Sequence, residues 1–236
     1  MTLLQLIQDV ADLLGIPRPG AVCGSLDPGA RQLLQLANRE GRELSSRYGW
    51  QALTREASFT TVASESQGTL ASIIGASQSL RYVVNDTLWD RTSGDPVLGP
   101  RAPRTWQGYK AQTFASPYSE YRIRGDELLF IPAPAAGHSV YFEYVSRCWC
   151  TDAGGTTYRQ AFAADTDLVL LDEEIMRIGL EWRWLQRKGF EYAESFASYE
   201  RLVADAMARD GTKPILDLGG PVDSGLPYAI PRVIGS

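Results

Sequence analysis

Histidine occurs once in this chain of 236 residues and cysteine three times. A single histidine rules out a His-pair metal site or a two-histidine relay. Cys23, Cys148 and Cys150 are odd in number and have no framework spacing, so they read as reduced thiols in a cytosolic setting. Cys23 is distant from the other two and no fourth ligand is evident, so a structural zinc site is not expected. On a strand, Cys148 and Cys150 would share one face and Trp149 the other. No run approaches the roughly 20 apolar residues of a membrane span. The opening MTLLQLIQDVADLLG lacks the basic start and small-residue cleavage site of a signal peptide. A surplus of positive charge is also lacking. The net charge of −5 disfavours a clamp on nucleic acid, because phosphate binding is driven by clustered Lys and Arg.

The motifs of common chemistries are missing as well. Gly154-Gly155 in TDAGGTTY is no phosphate loop, and there is no G-x-S-x-G elbow. His138, in AAGHS, reads as a surface histidine in a turn. Asp165 and Asp167 lack the glycine and distal Glu of a calcium loop, and Asp165 or Thr166 reads as a turn or capping residue. The acid pairs Asp126-Glu127 and Asp172-Glu173 have no pocket to make them an acid–base centre. Trp50, Trp89, Trp106, Trp149, Trp182 and Trp184 read as packing residues. We therefore expect no catalytic residue, metal site or cofactor.

What is present is helical pattern at both ends and a period near two between them. Residues 2–14 predict a helix with Leu3, Leu6, Ile7, Val10, Leu13 and Leu14 on one stripe, a Thr2/Gln5 capping box and Gly15 as the stop. Asp27 and Pro28 open a second helix with Ala30, Leu33, Leu34, Ala37, Gly41, Leu44 and Tyr48 on one face and Gly49 closing it. Gly41 there permits another helix to come close. Arg31, Arg39, Arg42 and Arg47 with Glu40 and Glu43 take the opposite face. That face reads as solvated, or as contact with a neighbouring subunit.

Strands are expected at 53–61, 68–74, 80–84, 118–124, 127–131 and 139–145, with a two-residue turn at Gly125-Asp126. Residues 85–103 read as a long loop or edge, and 105–111 as ambiguous with a short helix. Two further helices follow in 165–211. The first has Asp172 as N-cap, a stripe of Ile175, Ile178, Gly179, Trp182, Leu185 and the polar Gln186, Met176, Leu180 and Trp184 beside it, and Arg183, Arg187 and Lys188 towards its C-terminal end. Gly189 stops it. The second carries Phe190, Ala193, Phe196, Ala197, Tyr199, Leu202, Val203 and Ala206, with Gly211 and Pro214 as its stop. Residues 212–236 read as an extended docking arm through Ile215, Leu216, Leu218, Val222, Leu226, Tyr228, Ile230, Val233 and Ile234.

The fold class is thus α+β: a bundle of about four helices, an inserted antiparallel β-rich domain and a C-terminal arm. The divisions fall at 1–50, 51–150, 151–211 and 212–236. This order, with TLLQLIQDVADLLGIPRP, SSRYGWQALTREASFT, YRIRGDELLFIPAPAAGHSVYFEYVSR and FAADTDLVLLDEEIMRIGLEWRWLQRKGFEYAESFASYERLVADA, resembles the head-to-tail adaptor (connector) proteins of tailed bacteriophages, tail tubular protein A-like.

The resemblance implies a structural virion protein at the head–tail junction, synthesised in the host cytoplasm. It implies a ring, commonly of twelve copies, below the portal. The ring would bind the portal and the tail tube, nozzle or tail completion proteins, and genomic DNA would pass through it without sequence-specific contact. The arm residues and Arg31, Arg39 and Arg42 are the candidate partner-binding residues. Other readings are a different phage tail structural or fibre-attachment protein, or a carbohydrate-binding or hydrolytic domain.

Overall fold

A computed structural model describes residues 1–75, 78–111 and 116–211. Among them are six α-helices and three antiparallel sheets. The chain opens with α1 (Leu3–Leu14). Thr2 and Gln5 satisfy each other's backbone N–H groups, and Gly15 closes the helix in the left-handed region at φ 65°. Helix α2 (Pro28–Arg47) starts where the Asp27 carboxylate accepts from the Gly29 and Ala30 amides.

Strands follow as β1 (Thr54–Thr60), β2 (Ser66–Thr69), β3 (Leu80–Val83), β4 (Trp89–Asp90), β5 (Asp95–Pro96), β6 (Glu120–Arg124), β7 (Glu127–Ile131) and β8 (Ser139–Ser146). Between them lie the short α3 (Leu70–Ile74) and α4 (Pro103–Ala111). Three two-residue strands, β9 (Cys150–Thr151), β10 (Tyr158–Arg159) and β11 (Leu168–Val169), then lead to α5 (Glu173–Lys188) and α6 (Ala193–Asp210).

Strand β8 is the spine of the largest sheet. Along its length it pairs with β1, Thr54 opposite Val145 and Thr60 opposite Ser139. Its other edge is shared by β3 and β4. Val140, Phe142 and Tyr144 alternate along β8 and are buried with Val83, Leu88, Tyr121, Leu128 and Phe130. The second sheet, β2-β7-β6, contains the expected hairpin, Arg124 opposite Glu127 with Gly125 at φ 63°. Strand β9 joins β10 and β11 in the third.

A separate core lies among the long helices: Leu3, Leu6, Ile7, Val10, Leu33, Ala37, Leu44, Ile175, Met176, Leu180, Tyr199 and Val203, continued by Val145, Trp149 and Cys150 from the strands. Helix α5 meets α1, α2 and α6. Helix α6 reaches α2 through side chains, Tyr199 meeting Glu40 and Glu200 meeting Arg47, and Asp210 near its end meets Gln51.

Several expectations are corrected. Residues 70–74, expected to be strand, form α3, because the Thr69 hydroxyl accepts from the Ser72 amide and caps a helical turn. Within residues 85–103, expected as loop or edge, the two-residue strands β4 and β5 pair, and β5 is the edge of the sheet. Leu13 points to solvent, the stripe of α1 being completed by Ala11, and on α2 Leu36 rather than Leu34 is buried. Tyr48, not Gly49, terminates α2. The close approach at Gly41 is not to a helix: a Cβ there would lie 2.5 Å from ring atoms of Trp149. Cys148, Trp149 and Cys150 are all buried, Trp149 and Cys150 in the helical core. Phe190 precedes α6 and is exposed, and on α6 the buried positions are only Tyr199, Val203 and Ala206.

Candidate interaction surfaces and a buried ion network

Glu40 has no exposed surface. Its Oε1 accepts a hydrogen bond from the Tyr199 hydroxyl at 2.6 Å, and its Oε2 accepts from Arg183 Nε at 2.5 Å. Arg183 Nη2 donates to Glu43 Oε2 at 2.6 Å, and Glu43 Oε1 accepts from Arg39 Nε at 2.6 Å. Arg47 grips Glu200 with both nitrogens, at 2.9 and 2.6 Å. Together these bonds join α2, α5 and α6.

Glu40 and Glu43 were expected on a solvated face, and Arg183 among the cations at the end of α5. Glu40 and Arg183 are instead buried, because α5 and α6 cover that side of α2. Gly179 makes the room: a Cβ on it would lie 2.5 Å from Glu40 Cδ. The signal in the sequence was Gly179 inside an apolar stripe, but its partner was not readable.

Burial pushes the Glu40 pKa up, against the Arg183 guanidinium and the Tyr199 hydroxyl. Burial works against the charge on Arg183, but Glu40 and Glu43 outweigh it and raise its pKa. The Tyr199 hydroxyl is raised by burial and by the Glu40 charge beside it, so it stays a neutral donor. Burial would also raise Glu43, yet hydrogen bonds from Arg39 and Arg183 hold it below its ordinary value.

Acids also fasten the loop ahead of α5. Asp165 accepts from the Val22 and Cys23 amides, tying the loop after α1 to this segment. Burial and the nearby Asp165 raise the Cys23 thiol to about 11, so it is unreactive at neutral pH. Asp167, buried, pairs with Arg159 at 2.5 Å and accepts from the Ala163 and Ala164 amides. Both are turn-fixing residues, as expected for Asp165. Burial lifts the Cys150 thiol to about 12.

His138 Nδ1 lies 2.6 Å from Asp90 Oδ2. The pair borders a cavity of about 170 Å³ lined also by Ser93, Asp95 and Tyr118. Among the described residues no hydroxyl or thiol bonds the other ring nitrogen, so the pair ties β4 to the turn before β8. Among the described residues no group of His, Cys, Asp and Glu has the geometry to hold a metal.

The surface is more informative. Leu26, before α2, is 89% exposed, and Phe190, before α6, is 62% exposed. Tyr192 and Phe196 are partly exposed over Trp182, with the Phe196 ring 5.0 Å from it. A groove of about 650 Å³ beside Leu26 is lined by Val22, Pro28, Arg31 and Leu34. Arg31, Arg39 and Arg42 are exposed, and Arg39 is committed to Glu43. The nine arm residues expected between 215 and 234 lie outside the described residues, as does Pro214.

In this α+β protein the polar clusters around Glu40, Asp165 and Asp167 join elements of the fold. The family model for the SU10 adaptor protein matches residues 1–221, and the chain belongs to that family, a phage head-to-tail adaptor family. It is a phage structural adaptor, a virion component of the head–tail junction that meets portal and tail proteins. Among curated proteins no match is found. No described helix is long and apolar enough to cross a membrane.

Proposed function

We propose that copies of this chain close into a ring, of twelve, below the portal. The ring extends the DNA channel and presents the platform for the tail tube, nozzle or tail completion proteins. The observation that carries this reading is the family match over residues 1–221. Residues 1–50 and 151–211 are proposed to act as a bundle of α1, α2, α5 and α6, with 51–150 as its insertion and 212–236 as an arm that docks on the portal or a neighbour.

A ring contact is heterologous, so one subunit must present two different, matching faces. We assign one face to the exposed side of α2 with Arg31, Arg39 and Arg42, and the other to the start of α6 with Phe190, Tyr192 and Phe196. The ion network supports this, because it holds the relative positions of α2 and α6 that both faces depend on. The net charge of −5 suits a bore through which DNA slides, since it offers little counterion release.

Electron microscopy of the purified protein, alone and mixed with its portal, tests the reading. Rings coaxial with the portal are expected. A compact particle that ignores the portal would overturn it.

A further inference from the structure

A cavity of about 300 Å³ lies where the C-terminal part of α2 meets the ends of β3 and β8. It is lined by Arg42, Arg81, Arg147, Gln160, Ser45 and Ser46, with no acidic side chain among them. In a chain of net charge −5, three arginines from three elements border one space without a carboxylate.

Their commitments differ. Arg81 donates to the Ser45 and Ser46 carbonyls, capping the end of α2 where the helix dipole favours a cation. The Ser45 and Ser46 hydroxyls donate to the Arg42 and Glu43 carbonyls, at 3.0 and 2.8 Å. Arg42 and Arg147 are exposed, and among the described residues their side chains have no hydrogen bond or ion pair. Two unspent guanidinium groups and the Gln160 amide therefore remain beside the cationic Arg81.

We propose that this cavity binds a phosphate-class oxyanion. Guanidinium donors match phosphate oxygens and are the side chains most used to recognise them. A tetrahedral anion presents oxygens in several directions, which suits donors that arrive from α2, β3 and the β8–β9 link. A planar protein carboxylate suits a single fork better. The site is local and rests on no assumption about a ring. Its phosphate comes either from a nucleic-acid backbone or from free phosphate.

The test uses the full-length protein. Inorganic phosphate is titrated with phosphorus NMR as the readout, and a labelled DNA duplex with fluorescence anisotropy, at several salt concentrations. Arg42→Ala and Arg147→Ala are made, with circular dichroism to check the fold. Arg81 is left intact because it caps α2.

At least one phosphate probe is expected to bind wild type, and each substitution to weaken it. For the duplex, each should also lower the slope of log affinity against log salt by about one. Duplex binding alone assigns the site to a backbone phosphate, and phosphate binding alone to the free anion. Phosphate and duplex affinities unchanged in both variants would overturn the site. So would a glutamate-rich peptide binding where both phosphate probes fail. Electron microscopy of the wild-type protein keeps the two readings apart. Rings without phosphate binding sink this site only, and phosphate binding without rings sinks the ring only.

Discussion

Glu40 and Gly179 show how one side chain is held by the absence of another. The Glu40 carboxylate occupies the space that a side chain at 179 would fill, and it is held there by Arg183 and Tyr199. A buried pair loses more when broken than it contributes net, because the remaining charge is stranded. Glu40→Leu is therefore expected to cost roughly 3–5 kcal/mol in denaturant unfolding. Glu40→Leu with Arg183→Met should cost much less than the sum of the two singles, and additive losses would show that the pair is uncoupled. Gly179→Ala drives a methyl into Glu40 and is expected to cost about 1–3 kcal/mol in the same assay.

Protonation acts at this scale too. Burial alone would raise Asp90, but hydrogen bonds from His138 and from the Ser93 and Thr92 amides win, and its pKa lies below the ordinary 3.8. Glu43 lies below 4.5. Both bind protons less readily folded than unfolded. Their stabilisation is fully present above those ordinary values and is lost as pH falls below them through the lower folded-state pKa values. Glu40 has the opposite sign, because its raised pKa makes acid relieve a buried charge. Denaturation midpoints of wild type should fall as pH drops below about 4.5, and Asp90→Asn should flatten that fall. An unchanged slope in the variant would remove Asp90 from the account.

Among the elements, the helix termini were the most legible. Thr2 with Gln5, Asp27 with Pro28, and Asp172 with Gly189 all act as their chemistry requires, because a cap bonds within one turn. The Gly125-Asp126 hairpin is equally local. The segment at 70–74 was not legible, since a short apolar run is compatible with either period until its cap is seen. The apolar ends before α2 and α6 give a prediction at this scale. Leu26→Ser and Phe190→Ser change exposed side chains, so monomer unfolding should move by no more than about 0.5 kcal/mol. Ring formation, followed by sedimentation velocity, should weaken for Phe190→Ser, on the assigned face, more than for Leu26→Ser. Equal, undiminished rings would exclude that face from the subunit contact.

At the scale of the whole molecule, two cores divide the work. One fills the space among α1, α2, α5 and α6, and the other the space between the sheets. Among the described residues both cores are built from positions no later than Met207, and a chain ending at Gly211 is expected to unfold at the same denaturant midpoint as the full chain. The proposed arm would then be missing, and the truncated protein should fail to co-sediment with the portal. Normal portal capture without residues 212–236 would sink the docking arm. The interface residues themselves were named from exposure patterns alone, and a sequence shows exposure only through its polarity, not through which surfaces coincide.

Sequence by itself determined what depends on near neighbours in the chain: the caps, the helical stripes, the alternation of Val140, Phe142 and Tyr144, and the shortage of histidine and cysteine for catalysis or metal binding. Tertiary structure alone decided which charges are buried. Glu40 and Arg39 are adjacent in sequence and were read as one face, yet one is buried and the other exposed. The difference arises because α5 and α6, more than 130 residues later, close over one side of α2. The arginines at 42, 81 and 147 likewise meet only because the sheet returns to the end of that helix. Local rules cannot report such meetings, since the free energy that sets them is gained by surfaces distant in the chain.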